Sequence, residues 1–296
     1  MNVYDHMLAL LRRYHTNAEG ERLAGEMLIE GYNVVSDFLR LEVGAPWVWS
    51  ARMEEFYRVS DAFVYELLVW HHKPSRIAWR AEVADLLKRR YPAGGSILCL
   101  GDGIGYDSLS IALNLPDAEV TSFELPGHSS AFAARLHDDA ARDRRIALVN
   151  DPHALLSGVY DAVLSFHVLE HLPAPLTMVR DIATYLKPGG CALIAEAFTA
   201  VEPSKPTHLA ANLQYGGRTI AMFEQQGLAF EGMLPNWIYI FRKGAGRHPL
   251  RHFPLRARYR LAGLIAAKRF ARDYPEGSTD LKRVLGAGLA DGCATR

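Results

Sequence analysis

The chain is predicted to be an α/β protein, a mostly parallel sheet flanked by helices with further helical segments at both ends. Three observations carry this. An apolar run, Ile97 to Leu100, stops at three glycines on alternate positions, Gly101, Gly103 and Gly105. Further short apolar runs follow in order, ending at Glu124, Asp151, Phe166 and, after a Pro-Gly-Gly turn, near Glu196. Before the glycines, about ninety residues show apolar positions at helical rather than strand spacing.

In that leader, Met7, Leu8, Leu10 and Leu11 form one stripe, Leu23, Met27, Leu28 and Tyr32 a second, and Phe63, Val64, Leu67 and Leu68 a third, with Gly44-Ala45-Pro46 as a break. Each stripe must bury its apolar face, so the leader is expected to cover the open end of the sheet as a substrate lid. The stretch Arg52 to His72 is rich in aromatic and ionisable side chains. Glu54, Tyr57, Asp61 and Tyr65 stand three or four residues apart, a spacing that puts polar tips on one helix face toward a pocket; a packed interhelical face with a wet edge gives the same pattern. Tyr57, Asp61 and Tyr65 are candidate substrate contacts, and Tyr57 is also a catalytic candidate. His71 and His72 close this helix, where cationic groups favour the dipole.

The loop after Leu100 is the most informative feature. Glycine permits positive φ and removes the Cβ that would hold a ligand off the backbone, and the following helix offers unpaired N–H groups. Something small and flat, or anionic, can lie there; an ordinary strand-to-helix turn also uses glycines. The second strand, Val120 to Phe123, ends at Glu124, where an acid can accept both hydroxyls of a ribose or simply be solvated. The run before Asp151 places a carboxylate able to accept an adenine amino hydrogen. The fourth strand, Ala162 to Phe166, leads into His167, Glu170 and His171, and Leu186-Lys-Pro-Gly-Gly190 turns into the fifth.

Residues 196 to 217 read as a long insertion whose Pro203 and Pro206 forbid a simple helix through its first half. His208, Asn212 and Tyr215 are its candidate substrate contacts, with helix capping and surface solvation as the alternative. A helix over Thr219 to Gln226 and two strands paired around Pro235-Asn236 complete seven strands. Beyond Gly244 the chain is basic, with eleven Lys and Arg against four acids. An amphipathic helix over Leu255 to Phe270 is expected to dock on the leader or a second subunit, burying Leu261, Leu264, Ile265 and Phe270; attraction to a membrane surface or an anionic partner is the other reading.

Length and composition set bounds. With 296 residues, 49% of them apolar, the chain can bury one large core. Lys and Arg number 33 and so do Asp and Glu, so no global field attracts polyanions, which argues against a nucleic-acid partner. No run reaches the roughly 18 apolar residues of a membrane span. Asp5 and His6 interrupt the N-terminal apolar stretch. Cys99, Cys191 and Cys293 are few, odd in number and far apart, as expected of reduced thiols in the cytoplasm.

From about Tyr91 to Lys243, half of its length, the chain resembles the class I S-adenosylmethionine-dependent methyltransferases. The resemblance rests on Gly101, Gly103 and Gly105 as the glycine loop, Glu124 as the ribose acid, Asp151 as the adenine-side acid, Ser165 to Leu172 as the fourth-strand segment, and Leu186 to Gly190. It implies a Rossmann-like seven-stranded sheet and direct methyl transfer from S-adenosyl-L-methionine, leaving S-adenosyl-L-homocysteine. It implies a cofactor site of Gly101, Asp102, Gly103, Gly105, Glu124, Leu125, Asp151, Pro152, Phe166 and His167. One departure stands out: the family carries an acid two residues before the first glycine, and this chain has Cys99. Asp102 and Asp107 are candidate substitutes.

Transfer from a sulfonium needs alignment and, for a protonated acceptor, a base. His167 and His171 suit that role at neutral pH. Glu170 and His171 match a Leu-Glu-His signature shared by relatives with different substrates, which makes His167 the more substrate-specific position. His167, Glu170 and His171 also spell H-x-x-E-H, but directly after a strand, against a zinc peptidase. A quinone-biosynthesis O-methyltransferase branch uses a related pair of acids and a histidine for a divalent ion; His167 replaces the first acid here, and no metal is assigned. A nicotinamide oxidoreductase would want G-x-G-x-x-G, which is absent.

The expected organisation is a helical lid and substrate region over residues 1–90, a cofactor-binding core over 91–243, and a basic helical extension over 244–296. The expected partners are a small-molecule methyl acceptor and a second copy joined through the helical extensions. An inactive cofactor-binding protein and a macromolecular acceptor are the alternatives.

Overall fold

A computed structural model describes residues 9–11, 13, 33–141, 143, 145–244, 246 and 252–275. Most of the Met7 and Leu23 stripes, Cys293 and the ends of the basic tail lie outside these residues. Seven strands form one sheet in the order β3-β2-β1-β4-β5-β7-β6, with flanking helices. The chain divides into two compact units, Met1–Arg40 with Tyr57–Ala154, and Leu41–Phe56 with Leu155–Arg296.

The first unit holds β1 (Ser96–Leu100), β2 (Glu119–Phe123) and β3 (Ile146–Val149), all parallel, with Cys99 opposite Ser122 and Leu100 opposite Phe123. Ile97 to Leu100 are all buried, as a parallel strand covered on both faces requires. Helix α1 (Val34–Arg40) precedes α2 (Ala51–Val59), α3 (Ala62–His71) and α4 (Pro74–Arg90); α5 (Tyr106–Asn114) follows β1 and α6 (His128–Ala140) follows β2. Leu11, Val64, Tyr65, Leu68, Ile104, Phe132 and Leu136 make one apolar cluster, so the third leader stripe is core.

The single helix expected over Arg52 to His72 is two. Ser60 breaks it: its hydroxyl donates to Asp37 Oδ2 at 2.5 Å and accepts the Ala62 N–H at 3.2 Å. Glu54, Tyr57, Asp61 and Tyr65 therefore do not share one helix face. At the far end His72 Nδ1 meets the Leu68 carbonyl at 2.8 Å, the expected capping role. His71 is buried, stacked on Tyr106 and bonded through Nδ1 to Arg80.

In the second unit β4 (Tyr160–Phe166) runs parallel to β5 (Leu186–Ala195), while β7 (Ile238–Lys243) is antiparallel to both β5 and β6 (Leu228–Leu234). The Pro-Gly-Gly turn lies inside β5: Tyr160 pairs with Leu186 but Ala162 with Cys191, so residues 187–190 bulge opposite Asp161. Helix α7 (Pro175–Tyr185) connects β4 to β5, and α8 (Thr219–Gln225) precedes the β6–β7 hairpin.

The last helix among the described residues, α9 (Phe253–Asp273), covers the expected stretch and packs within its own unit. Phe270 meets the Trp47 ring edge-on at 5.2 Å, Arg256 pairs with Glu224 at 2.7 Å, and a Cβ on Gly263 would stand 2.0 Å from the Gly216 carbonyl oxygen. Leu261, Leu264 and Ile265 are not buried within the chain. They are 59%, 52% and 58% exposed, because the close glycine contact turns the opposite stripe inward.

Candidate active site

In the first unit the glycine loop wraps one carboxylate. Gly105 begins α5 at φ +83°, and a Cβ there would meet His137 Nε2 at 2.6 Å. His137 Nε2 lies 3.1 Å from the Gly105 carbonyl and 2.9 Å from Ser108 Oγ, so it braces the loop from α6. Glu124 Oε2 accepts the Gly103 N–H at 2.6 Å and Oε1 accepts the Leu125 N–H at 3.0 Å. A carboxylate offers about four lone-pair sites, so two remain for ribose hydroxyls. Burial pushes Glu124 up to about 7 despite the two N–H groups that pull it down. Asn150, which sequence reasoning missed, donates to the Glu124 carbonyl at 2.8 Å and fixes its backbone.

The other candidates in this unit divide. Asp102 is turned inward, its carboxylate held by Ser122 Oγ at 2.6 Å and the Ser108 N–H at 3.3 Å, and burial raises it to about 6. What it offers a ligand is backbone, so it is no side-chain substitute for the acid missing at Cys99, whose thiol is itself buried. Asp107 counters the charges of Arg76 and Arg80. Gly101 is left-handed at φ +71°. Leu125, Asp151 and Pro152 are exposed, and Asp151 Oδ1 accepts the His153 N–H at 2.9 Å, capping the turn Pro152–Ala154. Tyr65 is 2% exposed in the apolar cluster, so the expectation that it contacts substrate does not hold; burial also pushes its phenol up. Tyr57 is half-buried and stacked on Phe63 at 5.0 Å, and Asp61 is half-buried at the start of α3.

The second unit concentrates ionisable groups at the end of β4. Phe166 and His167 are half-buried, the His167 N–H donates to the Ala195 carbonyl at 2.8 Å, and His167 adopts φ +58°, a conformation costly for a residue with a Cβ. The turn Leu169–His171 follows. His167 Nδ1 lies 3.1 Å from Glu170 Oε1, and Glu170 is 1% exposed. Burial alone would raise Glu170, but the bond from His167 and the charges of the His167, His171 and His208 rings together outweigh it and hold the carboxyl below its usual range. Since that carboxylate only accepts, Nδ1 carries the hydrogen and Nε2 is the basic nitrogen. Nearby, Glu196 accepts from Thr219 Oγ1 at 2.5 Å and from the Phe198 N–H at 2.8 Å, and burial raises it.

The insertion supports this turn. Asn212, 2% exposed, donates through Nδ2 to the carbonyls of Leu169, Glu170 and Leu172, at 3.4, 3.1 and 2.9 Å. It is a structural clamp, which corrects its reading as a substrate contact. His171 Nδ1 is 3.2 Å from the Thr207 carbonyl, and His208 is 8% exposed with its ring 4.6 Å from that of His171. Burial lowers both imidazoles, His208 to about 3, so both are neutral near pH 7. Donor atoms of Glu170, His171 and His208 lie within 4.8 Å of one another. Tyr215 is half-buried against Phe198 at 5.7 Å.

A glycine loop closed by an acid from the next strand, at the head of parallel strands, defines a nucleotide-binding α/β protein. Residues 69–262 match the family model described as a methyltransferase domain. A ubiquinone biosynthesis O-methyltransferase of Xanthomonas axonopodis is 38% identical over 105 residues, 34% of this chain and 43% of that protein. One from Bordetella pertussis is 36% identical over 120 residues, 40% of this chain and 46% of that protein. The chain thus spans less than half the length of these curated relatives. Among solved structures, the 1,6-didemethyltoxoflavin-N1-methyltransferase of Burkholderia thailandensis, with 1,6-didemethyltoxoflavin and S-adenosylhomocysteine bound, is 16% identical at a TM-score of 0.42, covering 68% of this chain and 95% of that one. The chain belongs to the methyltransferase family.

Proposed function

We propose that this methyltransferase methylates a hydroxyl oxygen of a small-molecule acceptor, with His167 as general base. The observation that carries the reading is the His167–Glu170 pair, a strained imidazole whose Nδ1 is tied to a buried carboxylate at 3.1 Å. The O-methyltransferase names of the relatives support the choice of oxygen. Backbone of Gly101 to Gly105, the Glu124 carboxylate and Asp151 would hold the cofactor, whose ribose hydroxyls suit the open lone pairs of Glu124.

Bound S-adenosyl-L-methionine supplies an electrophilic methyl group on sulfur. His167 Nε2 would take the proton of the acceptor hydroxyl as its oxygen receives that methyl group and S-adenosyl-L-homocysteine is left. Proton transfer to such a base typically contributes about 10²- to 10⁴-fold in rate, and Glu170 would face the resulting imidazolium and stabilise it. Glu170 acts only through His167 and is a positioning residue. Buried reduced thiols at Cys99 and Cys191 suit a cytoplasmic enzyme, and the balanced charge suits a small acceptor better than a polynucleotide.

The test is turnover of purified protein on a panel of phenols, catechols and aliphatic alcohols, read as S-adenosyl-L-homocysteine and methylated product by mass spectrometry. His167→Gln is expected to lower kcat by about 10²-fold or more while leaving cofactor affinity by calorimetry unchanged. Wild-type kcat in that variant would overturn the base assignment; methylation only of amines or thiols would overturn the choice of oxygen.

A further inference from the structure

We propose that α9 is a surface anchor that lays this protein on an anionic phospholipid bilayer. The helix has two apolar faces, and the fold uses one. Gly263 against Gly216, Tyr259 with its hydroxyl on Met233 Sδ at 3.5 Å, Arg256 on Glu224 and Phe270 on Trp47 fix which side is inward. On the other side Leu261, Leu264 and Ile265 stand at the i, i+3, i+4 spacing of one stripe and are more than half exposed. Phe253, 64% exposed, lies three turns before Leu264 on the same line.

The charge around that stripe selects its occupant. Arg258, Arg260, Lys268, Arg269 and Arg272 are all exposed, and Asp273 is the only acid in the helix. On the helical wheel Arg260 borders the apolar stripe on one side and Arg258 and Arg269 on the other, while Lys268 and Arg272 continue it toward the C-terminal end. A second copy meeting this face about a twofold axis would oppose one basic rim with another. A nucleic acid would find the cations but nothing for four large apolar side chains. A bilayer interface takes both: acyl chains receive Phe253, Leu261, Leu264 and Ile265, and lipid phosphates receive the long cationic side chains that reach outward. No helix among the described residues is long and apolar enough to cross a membrane, so α9 lies in the plane of the surface.

The experiment is flotation of the full chain with vesicles of phosphatidylcholine alone, or with roughly a third phosphatidylglycerol. Wild type is expected to float with the anionic vesicles and to be released as salt is raised through about 0.5 M. The triple variant Leu261→Glu/Leu264→Glu/Ile265→Glu is expected to lose at least about tenfold in vesicle affinity. Arg258→Gln/Arg260→Gln/Arg269→Gln is expected to lose the preference for anionic lipid. Both sets point outward, so circular dichroism and calorimetric cofactor binding should match wild type. Failure of wild type to float, unchanged binding by the Glu variant, or a wild-type dimer that this variant dissociates in analytical ultracentrifugation would each overturn the proposal.

Discussion

Replacing Gly105 by alanine separates two costs that this structure puts on one atom. The residue holds φ +83°, where a Cβ costs about 1–2 kcal/mol by clash with its own backbone. The added methyl would also stand 2.6 Å from His137 Nε2 and 2.9 Å from Ala133 Cβ. Ala133 is fixed in α6, so His137 must move, and its contacts with Gly105 and Ser108, each contributing about 0.5–1.5 kcal/mol, weaken or break. The backbone part alone, felt wherever the loop must be held for binding, corresponds to roughly a five- to thirtyfold rise in Kd for S-adenosyl-L-methionine. Loss of the His137 brace adds to this and lowers the melting temperature. Isothermal titration with the cofactor and its demethylated product reads the affinity. Gly158→Ala is the control: it shares a left-handed backbone, φ +69°, with nothing within 4 Å of the new Cβ, and belongs to the other unit. It should lose about 1–2 kcal/mol of stability and no affinity. A Gly105→Ala protein whose Kd stays within about threefold of wild type would refute the assignment of this loop to the cofactor.

Four further outcomes are expected. Because burial raises Glu124 to about 7 and the ionised form accepts ribose hydroxyls, cofactor affinity should climb as pH rises toward 8 and then level off, with a flat profile in Glu124→Gln. The apoprotein responds in the opposite sense: a folded value above the ordinary 4.5 means that this group contributes stability at low pH that is lost as pH rises toward about 7, visible in melts of wild type against the variant. Asn212→Ala withdraws three donations from the Leu169–His171 turn and should cost about 1–3 kcal/mol in denaturant unfolding, with kcat falling more than cofactor affinity. Dialysis against a chelator should leave turnover unchanged, because Glu170 Oε1 is already bonded to His167 Nδ1 and His171 Nδ1 to the Thr207 carbonyl; a loss restored by a divalent cation would instead give Glu170, His171 and His208 a metal.

What could be read from the sequence was what local chemistry determines. Alternate glycines after an apolar strand, and an acid at the end of the next strand, need only backbone geometry and chain order to be recognised. The orientation of Asp102 was not legible, because its partner Ser122 is twenty residues away on the neighbouring strand. The break at Ser60 depends on Asp37, twenty-three residues earlier, so periodicity through Arg52 to His72 could not reveal it. Tyr65 fits both a wet face and a core, and only the cluster around Leu68 and Phe132 decides between them. In α9 the spacing put Leu261, Leu264, Ile265 and Phe270 together, whereas two glycines forty-seven positions apart turn the Phe270 side inward and leave the other three outside. His137, Asn150 and the carbonyl-holding role of Asn212 act through main-chain atoms, which leave no signature in residue type.

The meeting of Gly216 with Gly263 has a consequence for how this chain can vary. The atoms that a Cβ on Gly263 would meet are peptide atoms of Gly216, so no rotamer change makes room for a methyl group, and at the neighbouring Gly217 an added Cβ would stand 2.0 Å from the Tyr259 carbonyl oxygen. Attachment of the last helix therefore tolerates no gradual loosening by small substitutions at these sites. A single alanine at Gly217 or Gly263 would release the whole element, so loss of this helix in a lineage should come as one step.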